Sequence, residues 1–423
     1  MMFRKSGRRT AVLAAVLAVC AAWTGLAPAA SAEAPGGPLT AATRFYVDPD
    51  SGAARQAVAD AAAGNAADAD RMRRLAALPQ AAWFTGGTPE STRAGASALI
   101  ARARAAHQLP VLVAYNVPGR DCGHYSGGGA ADSAAYRAWI GALAEGIGAG
   151  PALVVLEPDG LAALPSDCAG NTDPTGALSA ARLADLDFAV TVLKRSTATA
   201  VYLDAGNSQW KSVGDIAGRL VSAGVAKADG FSLNVSNFQP TDQLTRYGGW
   251  ISRCVWFATR GPDWARGHTD WCASQYYSPA APNDGTPGNA VSAADPATWH
   301  WTDTWYAQTT GGAPAAELLH FVVDTSRNGR GPWTPPAGAY PDPETWCNPP
   351  GRGLGPRPTA DTGVPLADAY LYVKTVGESD GSCTRGTGGP ADPVYGTVDP
   401  PAGAWWAELA HGLAREAVPP LTP

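Results

Sequence analysis

Pro110-Val111-Leu112-Val113-Ala114-Tyr115 runs on into Asn116-Val117-Pro118-Gly119-Arg120-Asp121-Cys122, and Ala152-Leu153-Val154-Val155-Leu156 runs on into Glu157-Pro158-Asp159. Each stretch is a short apolar run followed by an acid. Such a run, bounded by Pro, Gly or charge, reads as a strand buried on both faces, as strands of a parallel sheet are. Asp121 and Asp159 then lie just past two strand ends, where a pair of carboxylates can divide acid and base work.

Working outward, similar runs recur at 44–48, 81–84, 200–203, 230–233, 319–323 and 369–373. Helical patterns fill the intervals at 53–78, 92–107, 132–145, 179–194 and 212–223, and a last amphipathic helix is expected within 403–415. This alternation predicts an α/β fold whose seven or eight parallel strands close as a distorted (β/α) barrel of TIM type. Its active site is expected at the C-terminal strand ends, where Asp204, Asn234 and Asp324 directly follow their runs and Asp380 lies beyond Val373. Any one of these acids can simply cap a turn or the next helix. Gathered on one rim, the set reads as a site.

With 423 residues and 45% hydrophobic content, the chain can bury a large core. A net charge of -6 gives no reason to expect nucleic acid or an anionic membrane as partner. Residues 1–32 read as a secretory signal: Arg4, Lys5, Arg8 and Arg9 precede an apolar stretch, and Ala30-Ser31-Ala32 offers a cleavage site. Arg8-Arg9 leaves the twin-arginine route open beside the general one. Residues 33–423 are expected to be one secreted domain, monomeric and without a membrane span. The stretch 247–310, rich in Trp with a Pro/Asn/Gly loop near 279–288, reads as an inserted excursion on the rim.

Six cysteines remain after the signal: Cys122, Cys168, Cys254, Cys272, Cys347 and Cys383. In an exported chain they predict three disulfides, among many possible pairings. No Cys-x-x-Cys or tight Cys/His cluster suggests a metal, and none is expected.

Seven strings in order, YNVPGRDC (115–122), VVLEPDGLA (154–162), VYLDAGNSQW (201–210), LNVSNF (233–238), VVDTSRNGRGP (322–332), TWCNPPGRGLGPRP (345–358) and VKTVGESDG (373–381), resemble glycoside hydrolase family 6, the β-1,4-glucanases of cellulase family B. The resemblance implies hydrolysis of a cellulose-like chain with inversion and without a cofactor. Inversion needs a protonated carboxyl for the leaving oxygen and a carboxylate to activate water on the opposite face. By resemblance Asp159 matches the proton donor, and Asp121 the residue that raises the donor's pKa and supports a water chain. Asp380 matches the proposed base, acting directly or through waters, and Asp204 a supporting acid. Arg120 would hold its loop by ion pairing.

The resemblance also implies sugar contacts. Trp83, Trp210 and Trp346 match aromatic platforms, and Asn207, Asn237, Lys374 and Glu378 match partners for hydroxyls. Asn207 stands where the family often has His, and Thr85 where some members carry Asp. The implied disulfides are Cys122 with Cys168 and Cys347 with Cys383, which leaves Cys254 with Cys272.

Only Gly381 and Ser382 separate Asp380 from Cys383, and the loop after Asp121 is compact, so an open cleft and internal cleavage are expected. Release of cellobiose from chain ends is the alternative. A silent carbohydrate-binding protein is a remoter one, since it could dispense with Asp159 and Asp121, and both are present.

Overall fold

The computed structural model describes residues 39–170, 172–277 and 290–421. The expected export signal lies outside them. Seven parallel strands form one sheet in chain order: β1 (Ala82–Phe84), β2 (Val111–Ala114), β3 (Ala152–Leu156), β4 (Thr199–Asp204), β5 (Gly230–Leu233), β6 (His320–Asp324) and β7 (Ala367–Leu371). The sheet curls into a distorted half-barrel. No ladder joins β7 to β1; single bonds bridge the seam, from Ala81 N to Tyr372 O at 2.9 Å and from the Trp83 indole to Val373 O at 2.8 Å. The run at 44–48, expected as a strand, makes only an isolated parallel bridge between Phe45 and Leu109. It is bounded by Asp48 and Asp50, which turn the chain into the first helix.

Alternate side chains separate two cores. Val111, Val113, Leu153, Val155, Ala200, Tyr202 and Val322 fill the barrel interior. Leu112, Ala114, Val154, Leu156, Val201, Leu203, Phe321 and Val323 face the helices. Both faces are dry, which explains the unbroken apolar runs.

The helices are α1 (Gly52–Ala62), α2 (Ala66–Ala76), α3 (Pro89–Ala105), α4 (Ser133–Ile147), α5 (Ala177–Leu193), α6 (Val213–Ser222), α7 (Thr241–Thr259), α8 (His300–Thr310) and α9 (Ala407–Arg415). Thr88, Asp132 and Ser212 cap α3, α4 and α6 through their side-chain oxygens. The single helix expected over 53–78 is two, because Gly64 takes a left-handed φ of 81° and breaks it. Among the described residues no helix is long and apolar enough to cross a membrane.

The stretch 247–310 divides differently from expectation. It opens inside α7, whose Leu244, Tyr247, Ile251, Cys254 and Ala258 are buried at alternating spacings of three and four. It closes with α8, which packs on α7. Both belong to the β5–β6 crossover, and the density of Trp and Cys hid the helical stripe. The part after α7 climbs to the rim, where Gln275 Nε2 donates to Ser208 O at 3.0 Å and Lys211 O at 2.8 Å.

Candidate active site

Parallel register sets the C-terminal ends of the strands side by side: Ala114 opposes Leu156, Leu156 opposes Leu203, and Asp204 opposes Ser232. The chain turns sharply after these ends. Asp121, Cys122, Glu157, Asp159, Asn234 and Ser236 all take left-handed φ values, between 51° and 69°. Non-glycine residues in that region carry strain of order 1 kcal/mol each, so neighbouring bonds must hold them there.

Three buried carboxylates supply those bonds. Glu157 accepts from Asn116 N at 2.8 Å and Val117 N at 3.1 Å, tying the Asp159 turn to the Asp121 loop. Asp204 accepts from Asp159 N at 2.9 Å, Gly206 N at 3.1 Å and Ser232 Oγ at 3.2 Å. Asp324 accepts from Ser236 N, Ser326 N, Val373 N and Lys374 N, joining the ends of β5, β6 and β7.

Asp159 stands among the other acids. Burial, then the charges of Asp204, Asp121 and Asp380, hold its carboxyl well above the usual carboxylate range. Burial pushes Asp204 up to about 7, while its three donors pull the other way. Those donors stabilise the ionised form of Asp204, so of the two acids Asp159 keeps the proton.

Asp121 accepts from Ser126 N at 2.9 Å and Ser126 Oγ at 2.7 Å, and Ser126 Oγ also meets the Tyr115 hydroxyl at 3.0 Å. The resemblance implies that Arg120 holds its loop by ion pairing, but among the described residues it meets no carboxylate. Its guanidinium donates to the carbonyls of Thr85, Tyr115 and Ser126 and lies 4.7 Å over the Tyr115 ring. Carbonyls left by the tight turn need donors, and Arg120 supplies three.

Asp380 is held in the opposite electrostatic state from Asp159. Its Oδ2 accepts from Arg327 Nη1 at 2.7 Å and Asn348 N at 2.9 Å, and Lys374 Nζ lies 3.4 Å from Oδ1. Burial opposes its charge, but Arg327 and Lys374 outweigh burial and hold the carboxyl below the usual range. Arg327 was not singled out by the sequence reading, although it lies in one of the quoted strings. It is buried, stacked on Phe238 at 4.5 Å and bonded to Ser236 O. Its position three residues past Asp324 was the only sequence signal, and its burial emerges only in the fold.

The expected sugar contacts lie on the same rim. Trp210 and Trp346 are 40% and 41% exposed, unusual for indoles and fit for stacking. Trp83 is half-buried, its ring edge-on to Tyr115 at 5.5 Å. Lys374 Nζ donates to Ser379 O at 3.1 Å, and burial raises Glu378 while the Lys374 charge lowers it. Asn207 and Asn237 each spend their side-chain oxygen locally, on Gln209 N and Phe238 N, which leaves their amide groups as donors. Thr85 is exposed and contributes the carbonyl that Arg120 binds.

Three disulfides form: Cys122–Cys168, Cys254–Cys272 and Cys347–Cys383. The first joins the Asp121 loop to the segment after Asp159. The third joins the Trp346 and Asp380 loops, and Asn348 beside it makes a reciprocal pair with Asp380, whose N donates to Asn348 Oδ1 at 2.7 Å. Tyr125 crosses between loops as well. Its hydroxyl donates to Glu344 Oε1 at 2.7 Å, and any side chain at Gly381 would collide with it.

Residues 40–417 match the family model described as glycosyl hydrolases family 6. The chain belongs to that family. It is 35% identical over 382 residues to Endoglucanase 1 of Streptomyces halstedii, covering 90% of this chain and 93% of the relative. It is 32% identical over 413 residues to Endoglucanase A of Thermobispora bispora, covering 97% of this chain and 69% of the relative. Among solved structures it resembles the endoglucanase Cel6 of Mycobacterium tuberculosis, bound to a thio-linked methyl-cellobiosyl-cellobioside. That match has a TM-score of 0.63 and 34% identity over 90% of this chain and 99% of that one. Membership carries glycoside hydrolysis with it, so the acid rim is the rim of a glycosidase.

Proposed function

We propose that this family 6 chain is an exported, inverting endo-β-1,4-glucanase. The carrying observation is that Asp159 sits among Asp204, Asp121 and Asp380 and is held protonated by burial and their charge. A carboxylic acid that keeps its proton at neutral pH can give it to the glycosidic oxygen as the bond breaks. Asp121, fixed by Ser126, maintains the field that keeps that proton and offers a polar path for water. Asp380 stays ionised through the working range. It accepts the water's proton as a weak base and offsets the positive charge that develops on the sugar. Trp210 and Trp346 grip neighbouring rings, and firm grips allow the reacting ring to distort.

The relatives named above are endoglucanases, and Gly381-Ser382 is too short a link to roof the cleft. One observation favours chain-end release: the Tyr125–Glu344 bond brings the Asp121 loop against the Asp380 side of the cleft. Export is supported by the residues of 1–32 and by the three disulfides.

Incubation with carboxymethylcellulose and with soluble cello-oligosaccharides tests the reading. Viscosity is expected to fall quickly relative to reducing sugar, and the first-formed products are expected as α-anomers by proton NMR. Products of β configuration would overturn inversion, and cellobiose released at constant viscosity would overturn internal cleavage.

A further inference from the structure

Behind the Asp380 loop lies a second acidic cluster that the proposed mechanism does not use. Asp392 and Asp399 are 0% and 1% exposed, and they lie within a set of ligand atoms no more than 4.8 Å apart. The third member is Cys383, whose sulfur is committed to its disulfide, so the trio is not a metal centre. Asp392 is fully partnered: Arg385, itself 0% exposed, donates Nε to Oδ1 at 3.2 Å and Nη2 to Oδ2 at 2.7 Å, and Val394 N adds 2.8 Å to Oδ1. Asp399 has less. Its Oδ2 accepts from Asn348 Nδ2 at 2.9 Å, and its Oδ1 is buried with no donor among the described residues.

One buried cation therefore faces two buried carboxylates. A second full negative charge in that volume would be uncompensated, whereas one proton placed on Asp399 neutralises the excess and turns Oδ1 into a donor toward Asp392. The titratable and charged groups around Asp399 are Asp392 and Arg385 of its own loop, and Tyr395, on which Asp399, Asp392, Arg385 and Glu408 of α9 all act. Glu344, from the Trp346 loop, is held by Thr384 N and Arg385 N and completes the shell.

Asn348 connects this cluster to the site. Its Nδ2 divides its hydrogens among Asp399 Oδ2, Ser379 Oγ and Gly381 O, at 2.9, 3.0 and 2.9 Å. On its other side Asn348 N and Oδ1 bracket Asp380. An ionised Asp399 draws Nδ2 more strongly than a neutral one does, at the expense of Ser379 and Gly381, the residues flanking Asp380.

We propose that Asp392 and Asp399 share a single proton behind the cleft, and that this proton makes Asp399, through Asn348, a positioning residue for the Asp380 carboxylate. The inference rests on the glucanase reading for its kinetic consequence and on the buried cluster alone for its effect on stability. Burial, with Asp392 adding to it, pushes Asp399 up to about 7, against the Asn348 bond. An acid raised in the fold stabilises below its unfolded pKa and loses that contribution as pH rises toward its folded one. The protonated fraction of a group titrating near 7 falls about tenfold between pH 6 and pH 8.

The test compares wild type with Asp399→Asn and Asp399→Ala by thermal melting from pH 5 to 8.5 and by kcat on a soluble cello-oligosaccharide over the same range. Asn supplies permanently the donor that the proton supplies transiently. It is expected to flatten the fall of Tm between pH 5 and pH 7 and to raise the ratio of kcat at pH 8 to kcat at pH 6 several-fold, with KM little changed. Asp399→Ala is expected to lower kcat at every pH. Superposable pH profiles of melting for wild type and Asp399→Asn would overturn the shared proton. A flattened melting profile with unchanged kcat ratios would overturn positioning. An inactive wild type whose melting still responds to Asp399→Asn would overturn the glucanase reading and leave the shared proton standing.

Discussion

Replacing Arg327 with Met probes the balance that keeps Asp380 charged. The pair is 1% and 8% exposed with 2.7 Å between Nη1 and Oδ2. At an effective dielectric constant of about 20, that separation corresponds to about 6 kcal/mol of attraction. Lys374, 3.4 Å from the other oxygen, remains in the variant and takes up part of it. The net cost expected for removing one partner of such a pair is about 3–5 kcal/mol. For a chain of this size, with an unfolding entropy of about 2 cal/mol/K per residue, that corresponds to a fall in Tm of about 5 °C.

The pH dependence distinguishes charge from packing. Asp380 is depressed in the fold, so it stabilises above its unfolded pKa and loses that contribution as pH falls through its folded one. The Tm difference between wild type and Arg327→Met should therefore be widest near pH 7 and shrink progressively below about pH 4, as the unfolded chain gains the Asp380 proton first and the wild-type fold gains it only at lower pH. The acid limb of kcat should move to higher pH, since the carboxylate is then easier to protonate. Thermal melts and initial rates on a soluble glucan from pH 3 to 8 measure both. A Tm difference independent of pH, together with an unmoved acid limb, would refute the reasoning.

Asp159→Asn should lower kcat on unactivated β-glucan by about 10²- to 10⁴-fold with the fold intact by circular dichroism; near-normal turnover would remove the acid assignment. Asp121→Asn takes away a negative neighbour of Asp159, so the alkaline limb of the rate should move to lower pH, and an upward movement would contradict the field described here. Reducing Cys122–Cys168, which spans 46 residues, should cost about 2–5 kcal/mol in denaturant titrations and lower kcat more than KM changes. Trp210→Ala and Trp346→Ala should each weaken binding of cello-oligosaccharides by isothermal calorimetry by about 1–3 kcal/mol, with a smaller loss of stability than a core Trp would give, because the two residues are 40% and 41% exposed.

Local signals were enough for much of the architecture. Seven of the eight apolar runs became strands, since both faces of this curled parallel sheet are apolar and the pattern needs no partner to be read. The run at 44–48 failed because a strand needs a continuous neighbour, and only Leu109 lies opposite. α7 went unread because its Trp and Cys residues resembled the contents of a loop, although their spacing was helical. Asp159, Asp121, Asp204 and Asp380 were legible as acids beyond strand ends. Arg327 and Asn348 were not, because their importance lies in which carboxylate they meet.

By itself the amino-acid order determined where strands and helices form and which acids follow them, because burial on two faces and the chemistry of turns act over a few residues. Only the folded chain decided which of those acids hold a proton. Asp159 and Asp380 are aspartates of one intrinsic acidity, and they diverge because one is packed among three anions while the other meets Arg327 and Lys374. Charge acts through space, and the groups that set it come from β2, β3, β4, β6 and the loop after β7, far apart along the chain.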